Sequence, residues 1–110
     1  VRAIAVDGDR VLFGTDVGKL VEYKNGAWDV FGSSFFDIKS GIYTIALSPT
    51  GGIWVGTNGD GIVGIEDSGS MHITMEDGLP SNMVRSIAFR GETLWAACYG
   101  GVAEISFPKP

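Results

Sequence analysis

Few residues of this chain are of a kind that does chemistry, and they are scattered. Gly59-Asp60-Gly61-Ile62-Val63-Gly64 spells a dinucleotide-binding fingerprint, whose mechanism needs a helix N-terminus behind the glycines to face a pyrophosphate. The residues that follow, Ile62-Val63-Gly64-Ile65, have the composition of a strand, so the match is an accident of glycine content. His72 is the single histidine, and no cluster of nitrogen, sulfur or carboxylate ligands converges on it in sequence. It reads as a solvent-facing side chain on an outer strand. Cys98 has no histidine or lysine nearby to lower its pKa and reads as a small buried residue. Asp7-Gly8-Asp9 and Asn58-Gly59-Asp60 could open a calcium loop, but neither continues into a ladder of ligands, which leaves turn chemistry. A Ser–His–Asp arrangement would have to use His72 as base from an outer strand. Glu76-Asp77 are adjacent carboxylates at the start of a solvated loop rather than an acid/base couple. The expectation is a protein that is not an enzyme, with no catalytic residue, no metal and no cofactor.

Bulk properties narrow the class further. With 110 residues, 45% of them hydrophobic, the chain has ample material for a folded core. A formal net charge of −5 argues against a nucleic-acid partner, because phosphate binding needs a basic surface. No apolar run approaches the roughly 18–20 residues of a membrane-spanning helix. One cysteine excludes an internal disulfide and says little about compartment. The chain starts at Val1, so an initiator methionine or signal peptide is not in view.

The elements that must position any site are set by a repeat. Val1–Val6 (VRAIAV) returns as Ile42–Leu47 (IYTIAL) and as Val84–Phe89 (VRSIAF), each followed by a second strand-like phrase. Ile4, Ile45 and Ile87 are 41 and 42 residues apart, Gly14 and Gly56 are 42 apart, and Trp54 and Trp95 are 41 apart. That period is the length of one four-stranded propeller blade. The 17 glycines recur at matching points of the repeat and read as turns, as do Asn25-Gly26 and Pro49-Thr50-Gly51. Period-two alternation and β-branched enrichment place strands near 1–6, 10–15, 19–24 and 27–31, then 42–48, 52–57, 61–66 and 71–75, then 84–89, 93–98 and 101–107.

The predicted fold is therefore all-β: β-propeller blades at about 1–31, 42–75 and 84–107, a partial propeller with eleven strands. Phrases such as Ile53-Trp54-Val55 are hydrophobic on both sides, so each sheet should be sandwiched between others. A β-sandwich is the competing architecture, but it calls for one polar face per strand and no regular period. Fewer than three complete blades cannot close a ring. Completion is expected from a homo-oligomer, with a dimer giving six blades, or from the remainder of a longer propeller.

Asp77-Gly78-Leu79-Pro80-Ser81-Asn82, followed by Val84, Ser86-Ile87-Ala88 and Leu94-Trp95, resembles the repeat of the two-component regulator propeller family. Gly51-Gly52-Ile53-Trp54-Val55-Gly56-Thr57 matches its I-W-hydrophobic-G-T strand closely, and Phe13-Gly14-Thr15 matches it loosely. Phe13 stands where that pattern has tryptophan, Ala97-Cys98 replaces Gly-Thr in the third repeat, and segment 32–41 has no Gly-Leu-Pro. The resemblance implies the sensor part of bacterial hybrid histidine kinases, periplasmic or otherwise extracytoplasmic, often responding to carbohydrates. No kinase or receiver pattern is present, so no signalling output carries over.

In a propeller, the loops entering the innermost strand and those joining the second and third strands gather at one face. Here these are 32–41, 78–83, 15–19, 57–61 and 98–101. They carry Phe35, Phe36, Asp37, Lys39, Asn58, Asp60, Asn82 and Tyr99, while Arg2, Tyr43 and Arg85 hold equivalent positions near the start of the inner strand. Aromatics beside amides and charges suit a carbohydrate or other polar small molecule, and they equally suit packing between blades. Trp54 and Trp95 sit mid-strand and read as structural. The expected ligand-binding set is Arg2, Tyr43, Arg85, Asn58, Asp60, Tyr99, Asn82 and Phe36, in a non-catalytic sensor module. An interaction or assembly scaffold without a small ligand is the alternative. A propeller lyase or glycosidase, such as the streptogramin lyases with somewhat similar repeats, ranks third.

Overall fold

Eleven strands form three antiparallel sheets in the computed structural model, which describes residues 3–15, 19–31, 41–49, 51–66 and 69–106. Sheet one is β1 (Ala3–Asp7), β2 (Arg10–Gly14), β3 (Leu20–Lys24) and β4 (Ala27–Phe31). Sheet two is β5 (Ile42–Leu47), β6 (Ile53–Thr57), β7 (Ile62–Glu66) and β8 (Gly69–Ile73). Sheet three has β9 (Val84–Arg90), β10 (Thr93–Cys98) and β11 (Gly101–Ser106). Each sheet is a meander in which strands pair in chain order, so short turns suffice. Asn25 (φ 53) and Gly26 (φ 81) both adopt the left-handed conformation that a two-residue hairpin turn demands.

The sheets stack face to face and approach through their first strands: β5 packs on β1 and β2 on one side and on β9 on the other. All five residues of β6 are buried, because its two sides enter different cores. Ile53 and Val55, with Val63, join Ala3, Leu12, Leu20 and Ile42 between sheets one and two. Trp54, with Ile62 and Ile73, joins Val84, Ile87, Leu94 and Ala96 between sheets two and three. Each such aliphatic side chain contributes about 1.5–3 kcal/mol when fully buried. A three-residue 3₁₀ turn, Met75–Asp77, connects the last two sheets.

The all-β, three-sheet, eleven-strand expectation holds, with corrections in detail. β8 spans Gly69–Ile73 rather than 71–75, because Thr74 caps the 3₁₀ turn. Two-sided burial is a property of the middle sheet alone. Sheet one turns Ile4, Val6, Trp28 and Val30 to solvent, and sheet three turns Trp95 and Val102 outward. Trp95 is therefore 39% exposed where Trp54 is 3% exposed.

Phe13 is not the counterpart of Trp54. Leu12 pairs with Ala5 as Trp54 pairs with Ala46 and Trp95 with Ala88, which leaves Phe13 on the opposite face in the register of Val55. The missing Gly-Thr of the third repeat also has a physical reason. A Cβ on Gly14 would collide with Ile42, and one on Gly56 would stand 2.6 Å from Thr44 Cγ2 and 2.8 Å from Val84 Cγ1. These glycines let the next sheet's first strand approach, whereas Ala97 faces outward and is exposed.

Candidate functional site

The Gly-Thr phrase ends β2 and β6, each in a loop closed by the threonine hydroxyl. Thr57 Oγ1 accepts from Asp60 N and donates to Gly61 O, both at 2.8 Å. Thr15 does the same more simply, its Oγ1 accepting from Lys19 N at 3.0 Å. These loops are tied to the entries of the first strands. Asn58 N donates to Gly41 O at 2.9 Å, Gly61 N to Asn82 O at 2.9 Å, Tyr99 N to Met83 O at 3.0 Å and Ile42 N to Thr15 O at 2.8 Å. Asn58 and Met83 also form an isolated antiparallel bridge. The network gathers Asn58, Asp60, Asn82 and Tyr99 at one end of the stack.

Tyr43 and Arg85 stand at this same end, each at an irregularity of the ladder. Ile42 pairs with Thr57 and Thr44 with Gly56, leaving Tyr43 as the extra residue. Val84 pairs with Cys98 and Ser86 with Ala97, leaving Arg85 extra. A bulge re-aims its side chain out of the pleat and is common beside functional sites. Here it brings the Arg85 guanidinium carbon to 5.8 Å from the Tyr43 ring centroid, a cation–π distance. Arg85 is exposed and Tyr43 half-buried. The bulges were not anticipated, although a signal existed: Ile42–Ile45 and Val84–Ile87 are apolar pairs three apart, which a regular strand cannot bury on one face.

The expected site residues divide accordingly. Tyr43, Arg85, Asn58, Asp60, Asn82 and Tyr99 share one end of the molecule. Arg2 and Phe36, with Phe35, Asp37 and Lys39, lie outside the described residues. The Asn82 side chain is spent on structure, its Oδ1 accepting from Met75 N at 2.7 Å. Tyr99 is 69% exposed and Asn58 is exposed too.

His72 is exposed on β8, as expected, and its Nε2 meets the Asp60 carbonyl. Cys98 is buried, and burial pushes its thiol pKa up despite a backbone hydrogen bond at Ser81. Among the described residues no group of three or more His, Cys, Asp or Glu could hold a metal ion. The glycine fingerprint at 59–64 runs into β7 with no helix, and Gly64 serves as the floor under the Trp54 ring.

The Asp77–Asn82 phrase is a built connector. Thr74 and Asp77 cap each other's backbone, Gly78 closes the turn at φ 109, and Leu79 inserts into the core between sheets two and three at 5% exposure. Beside it lies a cleft of about 440 Å³ that sequence reasoning did not find, lined in part by His72, Asp77, Leu79, Ala103 and Ile105. It borders β11, which has no partner on its far side among the described residues.

No family model and no curated protein matches the chain. Among solved structures the fold is similar to that of PorZ, described as an essential bacterial surface component of the type-IX secretion system of Porphyromonas gingivalis. The TM-score is 0.74 at 19% identity, over 92% of this chain and 16% of that chain. At that identity the likeness concerns the fold. The chain spans about a sixth of the length of the structure it matches.

Proposed function

We propose that the chain is part of a non-catalytic, ligand-binding β-propeller of the two-component regulator type, taking a carbohydrate or another polar small molecule at the end where the loops gather. The supporting observation is the pair of bulges at equivalent repeat positions that set Arg85 over Tyr43. A half-buried ring offers a face to the apolar C–H patch of a sugar. The neighbouring exposed guanidinium and the Asn58 amide supply hydrogen bonds to hydroxyl or carboxylate groups. Backbone bonds tie the three loops to the entries of the first strands, so little backbone ordering entropy is lost on binding. An extracytoplasmic location accords with this reading and with the surface location stated for PorZ.

A thermal-shift screen against neutral and acidic saccharides tests it. A ligand present at a hundred times its Kd stabilises the fold by about 2.7 kcal/mol, and that shift should vanish in Tyr43→Ala and Arg85→Ala. No response across the panel would favour the second reading, an assembly module without a small ligand. That reading draws on the outward apolar faces carried by Ile4, Val6, Trp95 and Val102.

A further inference from the structure

The two outer faces of the stack are chemically matched to each other. Sheet two shows why, since it carries both kinds of face and has both covered. By ladder register, Ile4, Val6, Phe13 and Val21 on the open side of sheet one correspond to Ile45, Leu47, Val55 and Val63. All four counterparts pack in the core against sheet one. On the open side of sheet three, Trp95 and Val102 correspond to Trp54 and Ile62, both buried against sheet three itself. Ile4, Val6 and Val102 are 63%, 67% and 68% exposed, while Ile62 is 0% exposed. The chain thus displays the apolar residues of each half of a joint that it makes twice internally, with one addition on sheet one, where the Trp28 ring stands against Phe13 and Tyr23.

We infer that the open face of sheet three docks on the open face of sheet one of a second copy of this chain, head to tail. The occupant follows from the internal joints. The Trp54 ring is received edge-on by Phe89, with centroids 5.9 Å apart, and Phe89 corresponds to Leu47 and Val6 in the repeat. Trp95 of one copy therefore lies against Val6 and Ile4 of the next, which removes exposed apolar groups of both faces from water at once. Ala97, in place of Gly14 and Gly56, holds the docked first strand slightly farther out than in the internal joints. The joint is heterologous, and its closure is part of the inference, with both joints made within one pair of copies.

Size-exclusion chromatography with light scattering tests this on the 110-residue chain and two variants, Trp95→Glu and Ile4→Glu. The parent should elute at twice the 11.6 kDa of one chain, and each variant alone at the mass of one. An equimolar mixture of the variants should form a one-to-one complex, because one joint between an intact sheet three and an intact sheet one survives. Val102→Glu and Val6→Glu repeat the test should either first variant lose its β-type circular dichroism. A parent that stays at one chain would overturn the inference and leave these faces to sheets of another polypeptide. A variant that remains dimeric, or a mixture that does not associate, would overturn it as well.

Discussion

The indole of Trp54 rests on Gly64, its cross-strand partner, so closely that a Cβ on the glycine would stand 2.5 Å from ring atoms Cδ2, Cε3 and Cζ3. The same ring donates from Nε1 to Glu66 Oε2 at 2.6 Å. The ring cannot retreat, because its far side fills the core beside Phe89. Gly64→Ala is expected to cost about 1–3 kcal/mol, the range for overpacking a filled core. Urea unfolding followed by fluorescence will measure it, and a midpoint equal to that of the parent would contradict the packing described.

Gly61 is held more strictly. It has φ +76, and a Cβ there would collide with the carbonyl of Ile73. Its amide donates to Asn82 O and its carbonyl accepts from Thr57, so the strand cannot simply shift. Gly61→Ala should destabilise more than Gly26→Ala, since Gly26 also has positive φ but open space around it. Thermal melts of the two variants will rank them, and the reverse order would be inconsistent with this loop geometry.

Leu79 is the plug of the connector between sheets two and three. It is 5% exposed in a core shared with Trp54, Val84 and Leu94. Leu79→Ala should cost about 2–5 kcal/mol, as core truncations do. Pro80→Ala, on an exposed neighbour, should cost far less. Denaturant midpoints of the two variants give the comparison.

The repeat made the strands legible because each phrase alternates at period two and ends at a glycine-bearing turn. β2, β6 and β10 start and end within a residue of where the pattern places them. Which face of each sheet is covered was not legible. Ile4 and Ile45 have the same character in sequence, yet only Ile45 has a sheet in front of it. The same blindness made Trp95 look like Trp54. For the site, composition and repeat position marked Tyr43 and Arg85, but the bulge that pairs them is set by burying Ile42 with Ile45, and Val84 with Ile87, across an odd spacing. Asn82 looked like a ligand contact because an amide's partner cannot be read from its type, and here that partner is the amide of Met75.

Cys98 gives a pH dependence with a definite sign. Burial raises its pKa above the ordinary 9.0, so the unfolded chain releases this proton at lower pH than the folded one. Its contribution to stability is fully present below pH 9 and is lost as pH rises through the folded-state value. The fall in urea midpoint between pH 8 and pH 10.5 should be smaller in Cys98→Ala than in the parent. Equal falls would mean that the thiol is not held away from water.

The packing of β6 on both faces is the relationship from which the rest of the fold follows, and amide hydrogen exchange followed residue by residue by NMR tests it most directly. Val55 and its neighbours on β6, paired on both edges and buried on both sides, should exchange only by global unfolding, orders of magnitude more slowly than amides of β4 at the sheet edge. Exchange in β6 as fast as in β4 would contradict a middle sheet enclosed by its two neighbours.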